Sequence, residues 1–91
     1  MMFYVYCLES EAKENFHYYG FTSNIEKRLE AHKRGKVRTT KRFKSLKLLG
    51  YRKFRSRDVA LQFEKDLKRK ASYRNRFVRE LKTRGGAVVA R

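Results

Sequence analysis

The chain has 91 residues, 41% of them hydrophobic and 14% aromatic, with 25 Lys and Arg against 9 Asp and Glu for a net charge of +16. That length supports one small domain with a single modest core, and no apolar run approaches the ~20 residues that span a bilayer. A lone cysteine, Cys7, excludes an internal disulfide and any zinc site built from several thiolates, and fits a reducing, cytoplasmic setting.

The N-terminal residues have neither a basic leader region nor a small-residue cleavage site, so they do not read as a signal peptide. Residues 3–8 (Phe-Tyr-Val-Tyr-Cys-Leu) are rich in β-formers and predict a strand. Residues 9–15 are polar and turn-like, and residues 16–20 predict a second, aromatic strand, so the pair forms an antiparallel hairpin. Ser23-Asn24-Ile25-Glu26 has the pattern of a capping box, with Ser23 as the cap. Ile25 and Leu29 mark the inner face of the helix that follows, and Gly35 is placed to end it. Residues 46–54 predict a third strand. Ser56 or Asp58 caps a second helix with an inner stripe of Ala60, Phe63, Leu67 and Ala71, and a third helix carries Tyr73, Phe77 and Leu81. Gly85-Gly86 breaks it, and residues 85–91 are expected to fray. The expectation is an α/β (α+β) fold, a small three-stranded antiparallel sheet flanked by helices in the order ββαβαα, as one domain over residues 1–84.

The charge is unevenly spread. Residues 31–57 contain no acid but twelve Lys and Arg. Solubility alone does not require charge of a single sign, whereas tracking a phosphate backbone does. Within this segment Lys36, Arg38, Lys41 and Arg42 are the candidate nucleic-acid contacts. An anionic membrane surface is the rival partner, but no strongly apolar amphipathic helix accompanies the charge.

Reactive groups are few. The chain shows no paired carboxylates at acid/base spacing and no phosphate-binding Gly-rich loop, and Cys7 sits mid-strand as a small core residue. Four features remain. Arg28 and His32 lie one helical turn apart, beside the Ile25–Leu29 stripe; they fit ordinary helix-surface groups equally well. Glu64 borders the inner stripe of the second helix; an ion pair with Lys68 accounts for it as simply, at ~0.3–0.5 kcal/mol. Tyr6 and Tyr18 lie on the two hairpin strands, where pairing can bring both hydroxyls to one face, although core packing is the commoner fate of a strand tyrosine.

Taken together these residues resemble a family. Tyr4-Val5-Tyr6 followed by Tyr18-Tyr19-Gly20 looks like the two half-motifs of the GIY-YIG endonucleases, and the run from Tyr18 to His32 is similar to the family's Y-x-G-x-(T/S)-x-(N/D)-x-x-x-R-x-x-x-H stretch. Residues 60–68 resemble the helix that carries the family's metal-binding glutamate. The likeness covers roughly residues 3–70 and is nearest to the minimal bacterial members, related to the excision-repair nuclease domain and to structure-specific resolvases. Tyr4 and Tyr19 depart from the motif's Gly and Ile at positions that serve packing, and Asn75 matches the family's late asparagine only weakly.

The resemblance implies a metal-dependent DNA endonuclease acting in repair, recombination or DNA processing near the nucleoid. Glu64 would hold one Mg²⁺ or Mn²⁺, an ion content with few protein ligands. Arg28 would offset charge on the phosphorane with its planar fork. Tyr18 would orient or deprotonate the attacking water, for which a hydroxyl of ordinary pKa ~10 needs cationic neighbours. Tyr6 and His32 would complete the hydrogen-bond network. A catalytically silent nucleic-acid-binding module of the same fold is the alternative, and a small RNA- or ribosome-associated protein a third. The full set Tyr6, Tyr18, Arg28, His32 and Glu64 favours the enzyme, since a silent binder has no chemical need of all five.

Overall fold

Three strands and three helices form in the expected order. In the computed structural model, which describes residues 1–10, 16–35, 46–83 and 87–89, the elements are β1 (Phe3–Ser10), β2 (His17–Thr22), α1 (Ile25–Lys33), β3 (Leu46–Phe54), α2 (Arg57–Arg69), α3 (Ala71–Thr83) and β4 (Ala87–Val89). β1 is flanked by antiparallel β2 and β3, giving the sheet order β2-β1-β3-β4.

The period-2 alternation of the strands separates two faces. One carries Val5, Cys7, Tyr19 and Phe54, which pack with Ala60 and Leu67 of α2 and Phe77 and Leu81 of α3 into the core, joined by partly buried Leu49 and Phe63. A register shift between Cys7 and Leu8 against β3 accommodates the extra residue Leu49, which turns into that core. Cys7 is fully buried there, and burial first, then the Glu9 charge, push its thiol up to about 12. It is a packing residue, as its mid-strand position suggested. The other face carries Tyr4, Tyr6, Leu8 and Tyr18, and α1 packs over it.

Four sequence expectations need correction. The cap of α1 is Asn24, not Ser23: the Asn24 side chain accepts from the Lys27 amide at 3.0 Å. Thr22 Oγ1 accepts from the Asn24 amide at 3.1 Å and donates to its carbonyl at 3.2 Å, which holds Asn24 in the extended conformation a cap requires. Ala71 does not extend the inner stripe of α2. That helix stops at Arg69, extended Lys70 separates the two helices, and Ala71 is exposed at the start of α3. Arg74 Nη1 donates to the Leu67 carbonyl at 2.8 Å, satisfying a group that the helix end leaves open. Tyr73 is likewise exposed, with Lys70 over its ring. Finally, the tail is not frayed throughout: Ala87–Val89 pairs in parallel with Tyr51, Arg52 and Lys53 as a fourth strand. A β3 edge left open presents unpaired backbone groups, and a Val-Val pair suits a strand that covers it.

Ser56 caps α2, accepting from the Val59 amide at 3.3 Å, and Gly35, with φ 69°, follows α1 in the left-handed region where glycine is favoured. Lys36, Arg38, Lys41 and Arg42, and the Gly85-Gly86 break, lie outside the described residues.

Candidate active site

The site is built around one tyrosine on the central strand. Tyr6 is fully buried, and its cross-strand neighbour on β2 is Gly20. A Cβ on Gly20 would fall against the Tyr6 hydroxyl and ring, closer than non-bonded atoms allow. The bare glycine is therefore the space through which the ring crosses β2 to reach α1. There the hydroxyl meets His32 Nε2 at 2.8 Å and accepts from Arg28 Nε at 3.0 Å. The four-residue spacing of Arg28 and His32 makes this possible, since both side chains leave the same face of α1.

Tyr18 completes the cluster. The register pairs Leu8 with Tyr18 and Tyr6 with Gly20, so the two tyrosines are diagonal neighbours on one face. Their ring centroids are 6.3 Å apart, and the His32 ring stands edge-on to both, at 5.7 Å from Tyr6 and 5.3 Å from Tyr18. Glu64 follows buried Ala60 by four residues and precedes buried Leu67 by three, so α2 aims it inward. Its side chain is 18% exposed and pairs with Lys68 Nζ at 3.4 Å, and its charge also acts on Tyr6.

The electrostatics follow from this packing. Burial raises the Tyr6 pKa above its ordinary value, opposed chiefly by the Arg28 hydrogen bond and charge. Burial, then the Arg28 charge, lowers that of His32. The Tyr6 hydroxyl holds Arg28 more firmly protonated against the cost of burial, with Tyr18 adding to the effect. Arginine can only donate, so the Tyr6 oxygen accepts from Arg28, and a neutral His32 with its proton on Nδ1 can take the Tyr6 proton at Nε2. The result is an ordered network in which neutral tyrosine and imidazole groups surround one committed cation, Arg28.

Five of the sequence candidates thus fall in one region: Tyr6, Arg28, His32 and Tyr18 in mutual contact, with Glu64 within electrostatic reach. Asn75 is not among them. It is exposed on α3 and lines a separate cleft with His17 and Tyr19, on the other face of β2. The part played by Gly20 goes beyond the sequence reading, in which it is one letter of a motif; the signal was its place opposite Tyr6 in the hairpin register. Gly20→Ala is expected to displace the Tyr6 ring, lowering stability by about 1–3 kcal/mol and breaking the Arg28–Tyr6–His32 network, read as a lower melting temperature with lost cleavage. A wild-type melt in this variant would show that the ring does not need that space.

Among the described residues no group of three or more His, Cys, Asp or Glu converges to hold a metal. Glu64 stands as a single inward carboxylate, which fits only an ion that takes most of its ligands from water and substrate, as Mg²⁺ does. A family model described as the GIY-YIG catalytic domain matches residues 2–76. Comparisons with curated proteins and with solved structures return no match.

Proposed function

The chain belongs to the GIY-YIG catalytic-domain family, whose members are DNA nucleases, and from that premise we propose that it is a metal-dependent endonuclease working through the Tyr6–Tyr18–Arg28–His32–Glu64 cluster. The observation that carries this reading is the bonding of Tyr6 to both Arg28 and His32. A buried tyrosine needs one partner for its hydroxyl; here two α1 side chains are positioned around it, beside a second tyrosine that is only partly buried.

Hydrolysis of a phosphodiester needs an activated water, a countercharge for the pentavalent phosphorane and support for the leaving oxygen. Tyr18, at the open side of the cluster, orients the water or, once its own proton has passed to solvent and left it a phenolate, accepts the water's proton. Arg28 has spent its Nε on Tyr6, which fixes the plane of the fork and leaves the terminal amino groups to meet the phosphate oxygens. Tyr6 and His32 hold that plane and the Tyr18 ring in place. Glu64 would hold one divalent ion, which when bound supplies Lewis acidity at the phosphate. A role in repair or DNA processing suits such a site. The direct test is incubation with single-stranded, duplex and forked DNA, with and without Mg²⁺ or Mn²⁺; binding without cleavage of any substrate would leave the silent-binder reading in its place.

The lowered His32 pKa sets a pH dependence. The folded chain binds a proton at His32 less readily than the unfolded chain, whose imidazole titrates near ~6.5. This contribution to stability is therefore complete above about pH 6.5 and is lost as pH falls through the window below it. Melting temperature is expected to drop with acidification over that window, and the acid limb of single-turnover cleavage to lie below pH 6.5. His32→Gln should flatten the melting dependence. Equal slopes for the two proteins between pH 5 and 7 would remove His32 as its source.

A further inference from the structure

On the face of β2 opposite Tyr18, α3 and the β2 edge enclose an open cleft of about 550 Å³ lined by His17, Tyr19, Arg74, Asn75, Arg79 and Lys82, together with Val78 and Thr83. Among the described residues its lining carries no carboxylate. Glu9, on the neighbouring strand, pairs with His17 at 3.0 Å and with Lys82 at 3.7 Å. Among the described residues neither Arg74 nor Arg79 has an acidic partner within ion-pair distance. Asn75, Arg79 and Lys82 recur at i, i+4 and i+7, one exposed stripe running about 10 Å along α3. Arg79, Lys82 and Thr83 lie beyond residue 76, where the family match ends, while His17, Tyr19, Arg74 and Asn75 lie within it.

We propose that this cleft is a second nucleic-acid backbone site, which takes phosphates of the bound DNA away from the cluster that would cut it. Arg74 and Arg79, which have no carboxylate partner among the described residues, stand with the Asn75 amide over a Tyr19–His17 floor, and this matches a phosphodiester chain, which offers charge and acceptors together. Because Tyr18 and Tyr19 point to opposite faces of the edge strand β2, DNA held at both places bends around that edge or presents a second strand. The inference rests on DNA being the chain's substrate.

The test is duplex and forked DNA binding in EDTA across a salt series, which reads binding whether or not the protein cleaves. Arg79→Gln with Lys82→Gln is compared with Arg69→Gln plus Arg76→Gln, which removes the same charge from exposed positions outside the cleft. The cleft variant should bind several-fold more weakly and lower the log–log salt slope by about 1.8, two contacts at ~0.9 each, with the control changed much less. Thr83→Lys, which adds a cation to the rim, should steepen the slope by ~0.9, and this gain cannot arise from misfolding. Equal losses in the two double variants, or a slope that Thr83→Lys leaves unmoved, would overturn the site and reduce α3 to bulk charge. Wild-type binding without cleavage would refute the nuclease reading while these comparisons stand; wild-type protein that binds no DNA would remove both.

Discussion

Glu64→Gln is expected to slow DNA cleavage by at least several hundredfold while leaving DNA affinity intact or slightly raised. The side chain keeps its size and its hydrogen-bonding capacity and loses only the charge that would retain a divalent ion. Lost Lewis acidity is worth several kcal/mol at the transition state, and about 4 kcal/mol at ~1.4 kcal/mol per tenfold gives the stated fall. Affinity holds because one negative charge leaves a strongly basic surface. The ion pair with Lys68 is the competing account of this residue, and the structure contains it, at 3.4 Å. With the Lys68 side chain 55% exposed, that pair is worth only a few tenths of a kcal/mol, too little to move a rate several hundredfold. Lys68→Met separates the two accounts, because it removes the pair and spares the carboxylate. Cleavage should survive Lys68→Met and fail in Glu64→Gln, measured as single-turnover rates in a Mg²⁺ titration alongside melting temperature. Full activity in Glu64→Gln would withdraw the metal from the mechanism.

The parts of this molecule that strong local signals specify were legible in the sequence. The three antiparallel strands announce themselves by β-rich alternation, and the third spans residues 46–54 as expected. The joint placement of Tyr6, Tyr18, Arg28 and His32 was legible because two periodicities act together: the strand period puts both tyrosines on one face, and the helical period puts Arg28 and His32 on the other side of the same gap. Errors arose where two solutions are locally near-degenerate. Ser23 and Asn24 are both good caps, and the choice between them is made by Thr22 at the end of β2, a contact that no capping pattern encodes. The break between α2 and α3 falls at Lys70 without glycine or proline, and Arg74 reaching back to Leu67 stabilises it. β4 depends on the open edge of β3, a tertiary circumstance invisible to a window of three residues.

Arg28→Lys is the second large effect, and it divides charge from geometry. Lysine preserves the cation and is expected to leave both the salt dependence of DNA binding and the fold in place. It cannot reproduce what the structure uses the guanidinium for. Arg28 Nε donates to Tyr6 at 3.0 Å, and this contact orients a planar group whose remaining donors would meet two phosphate oxygens at once; an ammonium is a point charge with no plane to orient. Tyr6 would then lose a donor that at present offsets the effect of its burial, loosening the contact with His32 against which the Tyr18 ring rests. Loss of one preorganised donor at a developing oxyanion costs roughly 10²–10³ in rate, and here the donor and its support are lost together. The single-turnover rate at saturating DNA should therefore fall by at least ~100-fold, with Kd and its salt slope unchanged. Turnover near that of the wild type would place Arg28 among the ordinary surface cations, and a fall in affinity without a fall in rate would make it a binding residue only.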